Sequence, residues 1–241
     1  MNKAMACFLI SLGILSAAGG ALADTHAVVE STRIYMDQET KVTLVHWVAR
    51  DRSLRTSPGR VTITRHDLGL VWNLDLNAKS YTETVVRKPA SPPPRPKPDM
   101  RKLWQDFYEP DYSWTIKDTG ARKTVNGFDC REFRAAGEAD FAEISAAYWV
   151  CLTSGIPGAK AFHDYFLGQY RGDNRLASLL KLLAGHPESF CALREETVEN
   201  SIAPVSRVIT ELVKLEEADA PPGTYEVPAG FRKAEGRGDR S

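Results

Sequence analysis

Residues Leu68–Leu76 read LGLVWNLDL, and the fold follows from their spacing. Leu68, Leu70, Trp72, Leu74 and Leu76 fall on every second residue, with Gly69, Asn73 and Asp75 between them. A period of two puts one apolar face on an extended strand. Upstream, Arg60–His66 alternates in the same way: Val61 and Ile63 face one side, Thr62 and Thr64 the other. Downstream, Asn77-Ala78-Lys79 is a short turn, and Ser80–Val86 is rich in the Thr, Tyr and Val that suit strands. Strands this close in sequence pair as an antiparallel meander.

Working outward, Thr25–Met36 predicts an opening strand and Lys41–Arg50 a second. In the latter, Val42, Leu44 and Val48 lie opposite Val45 and Trp47, which predicts burial on both faces. Pro89–Pro98 holds six prolines in ten residues and predicts an extended surface connector. Asp99 then suits the N-cap of a short helix, Met100–Phe107, with Met100, Leu103, Trp104 and Phe107 on one face. Tyr112–Lys117 alternates again, Asp118–Arg122 reads as a turn, and Val125–Phe133 and Ala146–Leu152 read as a hairpin turning near Gly137–Asp140. Pro157–Gly185 is the long helical region, with a break at Gly172-Asp173. Ser189–Asn200 and Val205–Leu215 close the sheet, and a charged tail follows from Gly236.

The first 23 residues carry Lys3, the apolar run Phe8–Leu15 and the small-residue site Ala21-Leu22-Ala23. That pattern is an export signal cleaved after Ala23, too short to remain as a membrane-spanning helix. The expectation is a periplasmic protein with one domain over 24–235 and a frayed tail at 236–241. The chain has 31 basic and 31 acidic residues; without Lys3 the balance is 30 against 31, a formal charge of −1. Near-neutrality argues against nucleic acid as a partner. Cys130, Cys151 and Cys191 remain in an oxidising compartment, where pairing is favoured over metal binding. Cys130 and Cys151 sit at similar distances from the predicted hairpin turn and make the best pair, leaving Cys191 free, although connectivity does not follow from sequence.

Three ordered segments carry a resemblance. They are Arg60–Val86, Thr119–Phe133 (TGARKTVNGFDCREF) and Thr224–Phe231 (TYEVPAGF). The first holds Arg65, Asp67 and Trp72, then Tyr81, Thr82 and Glu83. The second holds Gly127, Phe128 and Cys130, and the third Tyr225, Val227, Pro228, Gly230 and Phe231. In this order they resemble bacterial envelope proteins related to the LolA-like lipoprotein-carrier fold. The resemblance implies a mainly β (α+β) fold, a curved antiparallel sheet or incomplete β-barrel whose concave side helices cover. It implies binding of acyl chains or lipoproteins there, and an arginine above the concavity, for which Arg65 is the candidate. The proline-rich segment departs from the compact carriers.

The residues point to no catalytic chemistry. His26, His46, His66, His163 and His186 show no metal-ligand spacing, and only a two-histidine site of His46 with His66 is conceivable. No G-x-S-x-G elbow, phosphate-cradling loop or C-x-x-C motif is present. The expectation is a non-enzyme without metal or cofactor. Apolar surface remains: Trp47, Trp72, Leu74, Trp114 and Trp149 on predicted strands are core residues or the walls of an apolar cavity. A buried chain gains about 0.8 kcal/mol per methylene, so such a site requires no polar motif. The leading expectation is a binding or carrier module for a lipid, a lipidated protein or another hydrophobic envelope component. The alternative is a regulatory or structural interaction protein that meets an envelope partner through a sheet edge or the Pro89–Pro98 connector.

Overall fold

In the computed structural model, which describes residues 23–86, 111–152, 155–201 and 203–234, two meanders meet side by side in one sheet. The first comprises β1 (Asp24–Tyr35), β2 (Gln38–Val48), β3 (Arg52–Ser57), β4 (Arg60–Arg65), β5 (Leu70–Asp75) and β6 (Ser80–Val85). The second comprises β7 (Ser113–Val125), β8 (Phe128–Ala139), β9 (Ala142–Cys151), β10 (Phe190–Asn200) and β11 (Ala203–Ala218). β1 pairs with β11, so the opening strand lies mid-sheet, and β12 (Arg232–Lys233) adds to β6 in parallel. The strand order is β12-β6-β5-β4-β3-β2-β1-β11-β10-β9-β8-β7. The result is one open, curved, mainly antiparallel sheet with helices α1 (Ala159–Gln169) and α2 (Ala177–Ala184). The expected mainly β, curved-sheet architecture is the observed one. The signal segment, the proline-rich connector, the helix expected at 100–107 with Trp104, and the tail from Gly236 lie outside the described residues.

The period-two reading of Leu68–Leu76 holds over β5 and stops at its ends. Leu74 is buried and Trp72 partly so, whereas Leu68 and Leu76 sit in the flanking turns and are exposed. Register turns this alternation into a row: His26, Trp47, Leu54, Ile63, Trp72 and Glu83 are successive cross-strand partners from β1 to β6. His26 stacks on Trp47 with ring centroids 4.3 Å apart, and Trp72 Nε1 donates to Glu83 at 2.9 Å. Ile63, Leu74 and Tyr225 form the buried centre of this face, and the segment after β11 covers it with Tyr225 and Phe231. Arg232 and Ala234 then donate backbone hydrogen bonds to Lys79 and Tyr81, so β12 shields the β6 edge.

Several boundaries differ from expectation. β3 was not expected: Leu54 is its one apolar residue, and the other five, Arg52, Ser53, Arg55, Thr56 and Ser57, are charged or hydroxylated, so it shows no apolar alternation. Asp118–Arg122 is a β-bulge inside β7 and not a turn, with Gly120 at φ 73° and Asp118 Oδ1 accepting from Gly120 N at 2.9 Å. The turn falls instead at Asn126-Gly127, where both residues have positive φ, the backbone a two-residue hairpin loop demands. The β8–β9 hairpin turns at Asp140-Phe141, between the pair Ala139 and Ala142. Cys130 and Cys151 are the next opposed positions beyond Arg131 and Val150, and they are joined as a disulfide with Cα atoms 4.1 Å apart. Cys191 is the free cysteine of the described residues.

The helical break stands where Gly172-Asp173 suggested. Gly172 has φ 88°, and the Asp173 carboxylate accepts from Arg175 N and Leu176 N, capping a 3₁₀ turn that leads into α2. Leu176, Leu179 and Leu183 then share one buried stripe against Phe133, Ala135, Ala146, Tyr148 and Val150 of β8 and β9. Tyr148 is fully buried and its hydroxyl meets Ser178 Oγ at 2.8 Å, which satisfies both groups. α1 packs Ala159 and Phe162 into the second cluster, around Ala27, Val29, Phe190, Leu212 and the disulfide.

Candidate functional site

The two helices and the sheet do not close completely on each other. Between them lies a cavity of about 260 Å³. Its sheet wall comprises Val29, Ser31 and Arg33 of β1, Leu44 and His46 of β2, Cys191, Arg194 and Glu196 of β10, and Val208 and Thr210 of β11. Its roof is Phe162, Tyr165, Phe166 and Tyr170 from α1 and beyond it, with Asp173, Arg175, Leu176 and Leu179. The alternation of β1 and β2 explains the selection: residues 29, 31, 33, 44 and 46 face the helices, while Trp47 faces the other side with the row described above. A smaller void of about 50 Å³ continues from the same Val29, Phe162, Phe166 and Cys191 toward Leu183, Phe190 and Leu212.

The cavity is chemically divided. Its inner part is apolar, and two titratable groups there are held neutral. Burial, reinforced by the Arg55 charge, lowers His46 to about 4, and the Tyr165 hydroxyl lies 3.2 Å from His46 Nδ1. Burial raises the Cys191 thiol to about 12, which keeps it protonated. The outer part is charged. Arg175 Nη2 donates to Glu196 Oε1 at 2.6 Å, and Arg194 Nη1 stands 4.0 Å from Glu196 Oε2. Arg175 Nε, Arg194 Nε and Glu196 Oε2 are buried and meet no hydrogen-bond partner among the described residues. Arg33, by contrast, forms no ion pair among the described residues, and with Arg175 it also borders a depression of about 420 Å³ lined by Tyr35, Gln38, Thr40 and Ser206.

The residues singled out from sequence lie elsewhere. Trp47, Trp72 and Leu74 pack with Ile63 and Tyr225 on the opposite face of the sheet. Trp114 packs against the α2 stripe, its Nε1 donating to the Asn174 carbonyl at 3.2 Å. Trp149 lies against the disulfide cluster, with Lys123 Nζ 4.1 Å from its ring centroid. None of the five lines the cavity. Arg65 is not the arginine above it: the side chain clasps Asp67 through Nε at 2.8 Å and Nη2 at 2.6 Å, and Nη1 reaches the Tyr225 carbonyl. His46 and His66 are kept apart by β3, which lies between β2 and β4, the strand that ends just before His66. Among the described residues no three His, Cys, Asp or Glu side chains converge in a way that could hold a metal ion. Arg33, Arg194 and Glu196 were missed because they alternate with polar neighbours on long strands. Only the register of three strands, β1, β11 and β10, places them together.

The fold and cavity define a curved-sheet, helix-covered protein with an apolar pocket and a basic rim. Its structural neighbours include DUF1329 and LolA-superfamily proteins. A DUF1329 family protein from Desulfovibrio piger is 9% identical with a TM-score of 0.34, covering 86% of this chain and 91% of that one. A LolA superfamily protein from Nitrosomonas europaea is 6% identical with a TM-score of 0.31, covering 85% and 90%. PNGF-II is 9% identical with a TM-score of 0.36; the match covers 89% of this chain, which spans about a third of that protein's length (31%). No family model and no curated protein matches the chain. At these identities and scores the likeness carries no argument about function, which rests on the chain's own geometry.

Proposed function

We propose that the mature chain is a periplasmic, non-catalytic binding or carrier module for a hydrophobic ligand: a lipid, a lipidated protein or another apolar envelope component. The observation that carries this reading is the apolar cavity between α1, α2 and the central strands, walled by Val29, Leu44, Phe162, Phe166 and Leu179. At about 260 Å³ it stands near the lower end of small-molecule sites. The export signal and the Cys130–Cys151 disulfide support an oxidising compartment. No helix among the described residues is long and apolar enough to cross a membrane. The tryptophans and Leu74 serve, in this reading, to hold the sheet on which the cavity stands.

The test is native mass spectrometry of protein isolated from its own periplasm, together with titration of the fluorescent apolar probe N-phenylnaphthylamine. A co-purifying amphiphile and saturable probe binding are expected. Leu44→Trp, which fills the cavity, should abolish both while leaving the circular dichroism spectrum intact. A wild-type protein that carries no ligand and leaves the probe unbound overturns the reading.

A further inference from the structure

The rim of the cavity has a chemistry of its own. Three guanidinium groups, Arg33, Arg175 and Arg194, stand against two carboxylates, Asp173 and Glu196, which leaves one net positive charge (+3 − 2 = +1). Asp173 is committed to capping the turn before α2, through Arg175 N and Leu176 N. Glu196, 2% exposed, binds Arg175 with one oxygen, while the other stands 4.0 Å from Arg194 Nη1 and accepts no hydrogen bond among the described residues. Two buried Arg Nε donors and one buried carboxylate acceptor thus have no hydrogen-bond partner among the described residues, beside an apolar pocket. Unpaired buried polar groups are costly, and native proteins supply them with a partner.

We infer that this rim is a head-group subsite for a single-chain amphiphile with one negative charge on its head. The inference rests on the hydrophobic-ligand reading above. The arginine donors take an anionic oxygen, and a hydroxyl or protonated oxygen on the head meets Glu196 Oε2. The apolar tail passes between Phe166 and Leu44. The cavity volume of about 260 Å³ admits one chain and not the several chains of a diacyl or triacyl anchor. The adjoining depression, which shares Arg33 and Arg175, receives whatever extends beyond the charged group. Both a fatty-acid carboxylate and a lysophospholipid phosphodiester have this chemistry.

The experiment measures affinities of the full mature protein for laurate, lauroyl-lysophosphatidylglycerol and dodecanol by displacement of N-phenylnaphthylamine. At least one of the two anions should bind about tenfold or more tightly than dodecanol, the scale of one charge-assisted contact, and the tighter anion identifies the source. Arg33→Gln should reduce the anion-to-dodecanol ratio by about tenfold. Because Arg33 makes no ion pair among the described residues, this variant keeps the fold. Arg194→Gln is the companion, and Arg207→Gln, on the other face of the sheet, should leave the ratio unchanged. Equal affinity for all three ligands, or a ratio unmoved by Arg33→Gln and Arg194→Gln, overturns the subsite while leaving the hydrophobic-ligand reading intact. Displacement by none of the three, with the probe itself unbound, overturns both.

Discussion

The Tyr225 hydroxyl donates to Asp24 Oδ2 at 2.9 Å, tying the segment after β11 to the first residue of β1. Burial raises the Tyr225 phenol well above its ordinary range, and the Asp24 carboxylate adds to the shift. The Arg52 guanidinium lies over the same ring, 5.0 Å from its centroid. These contacts lock the lid of the Ile63–Leu74 cluster onto the strand that runs through the middle of the sheet.

Tyr225→Phe removes that bond and keeps the ring. A hydrogen bond to a charged group contributes about 1.5–3 kcal/mol, and the half-exposed Asp24 places this one at the lower end, about 1.5 kcal/mol. A lowered urea midpoint with an unchanged slope is expected. A midpoint equal to wild type would show that the lid is held by packing alone.

The disulfide closes a loop with a sequence separation of 21 residues. Loop-closure entropy for that length is about 3 kcal/mol. Reduction, or the pair Cys130→Ala and Cys151→Ala, should therefore lower stability by about 3 kcal/mol in denaturant titrations. Cys191→Ala should not remove the mass shift that alkylation after reduction reveals for the bonded pair.

His46 makes stability depend on pH. Its folded value is about 4, below the 6.5 of an unfolded histidine. Between those values the unfolded chain binds more protons, so stability rises with pH. The contribution is complete above about 6.5 and is lost as pH falls toward about 4, in total about 3 kcal/mol. His46→Gln should flatten this part of the stability profile. Parallel profiles for the two proteins between pH 7 and pH 4.5 would remove His46 as the cause.

Two glycines should respond to alanine with opposite signs. A Cβ on Gly137 would stand 2.6 Å from Ile144 Cγ2 and 2.8 Å from the Trp114 ring, both cross-strand neighbours. Gly137→Ala should cost about 1–3 kcal/mol through overpacking. Gly168, near the end of α1, has nothing within 4 Å of the added carbon. Gly168→Ala should stabilise by about 0.5–1 kcal/mol because alanine loses less backbone entropy in a helix. Thermal unfolding of the two variants checks both signs.

The hairpins around Leu70–Asp75 were readable because each strand buries one face only, so alternation survives in the sequence. The same holds for the helical break, where Gly172-Asp173 carries its own local cause. β3 and the Gly120 bulge were not readable, since the one is short and polar and the other depends on pairing with β8. Asn126-Gly127 is a different case: the turn dipeptide was present in the chain and its meaning is local. The strand assigned across it obscured that signal. Trp47 and Trp72 show the further limit, because period two separates the faces of a strand without saying which face the helices cover.

Local order in this protein thus comes from its amino acids directly: strand periodicity, turn dipeptides, the capped break between α1 and α2, and the spacing that brings Cys130 opposite Cys151. These depend on neighbours within a few residues or across one hairpin. The cavity, its neutral His46 and its basic rim belong to the assembled sheet and helices alone. Arg33, Arg175 and Arg194 come from β1, the turn before α2 and β10, and pairing through β11 brings the two strands together. Long-range strand register sets such a meeting, and no short window of sequence contains it.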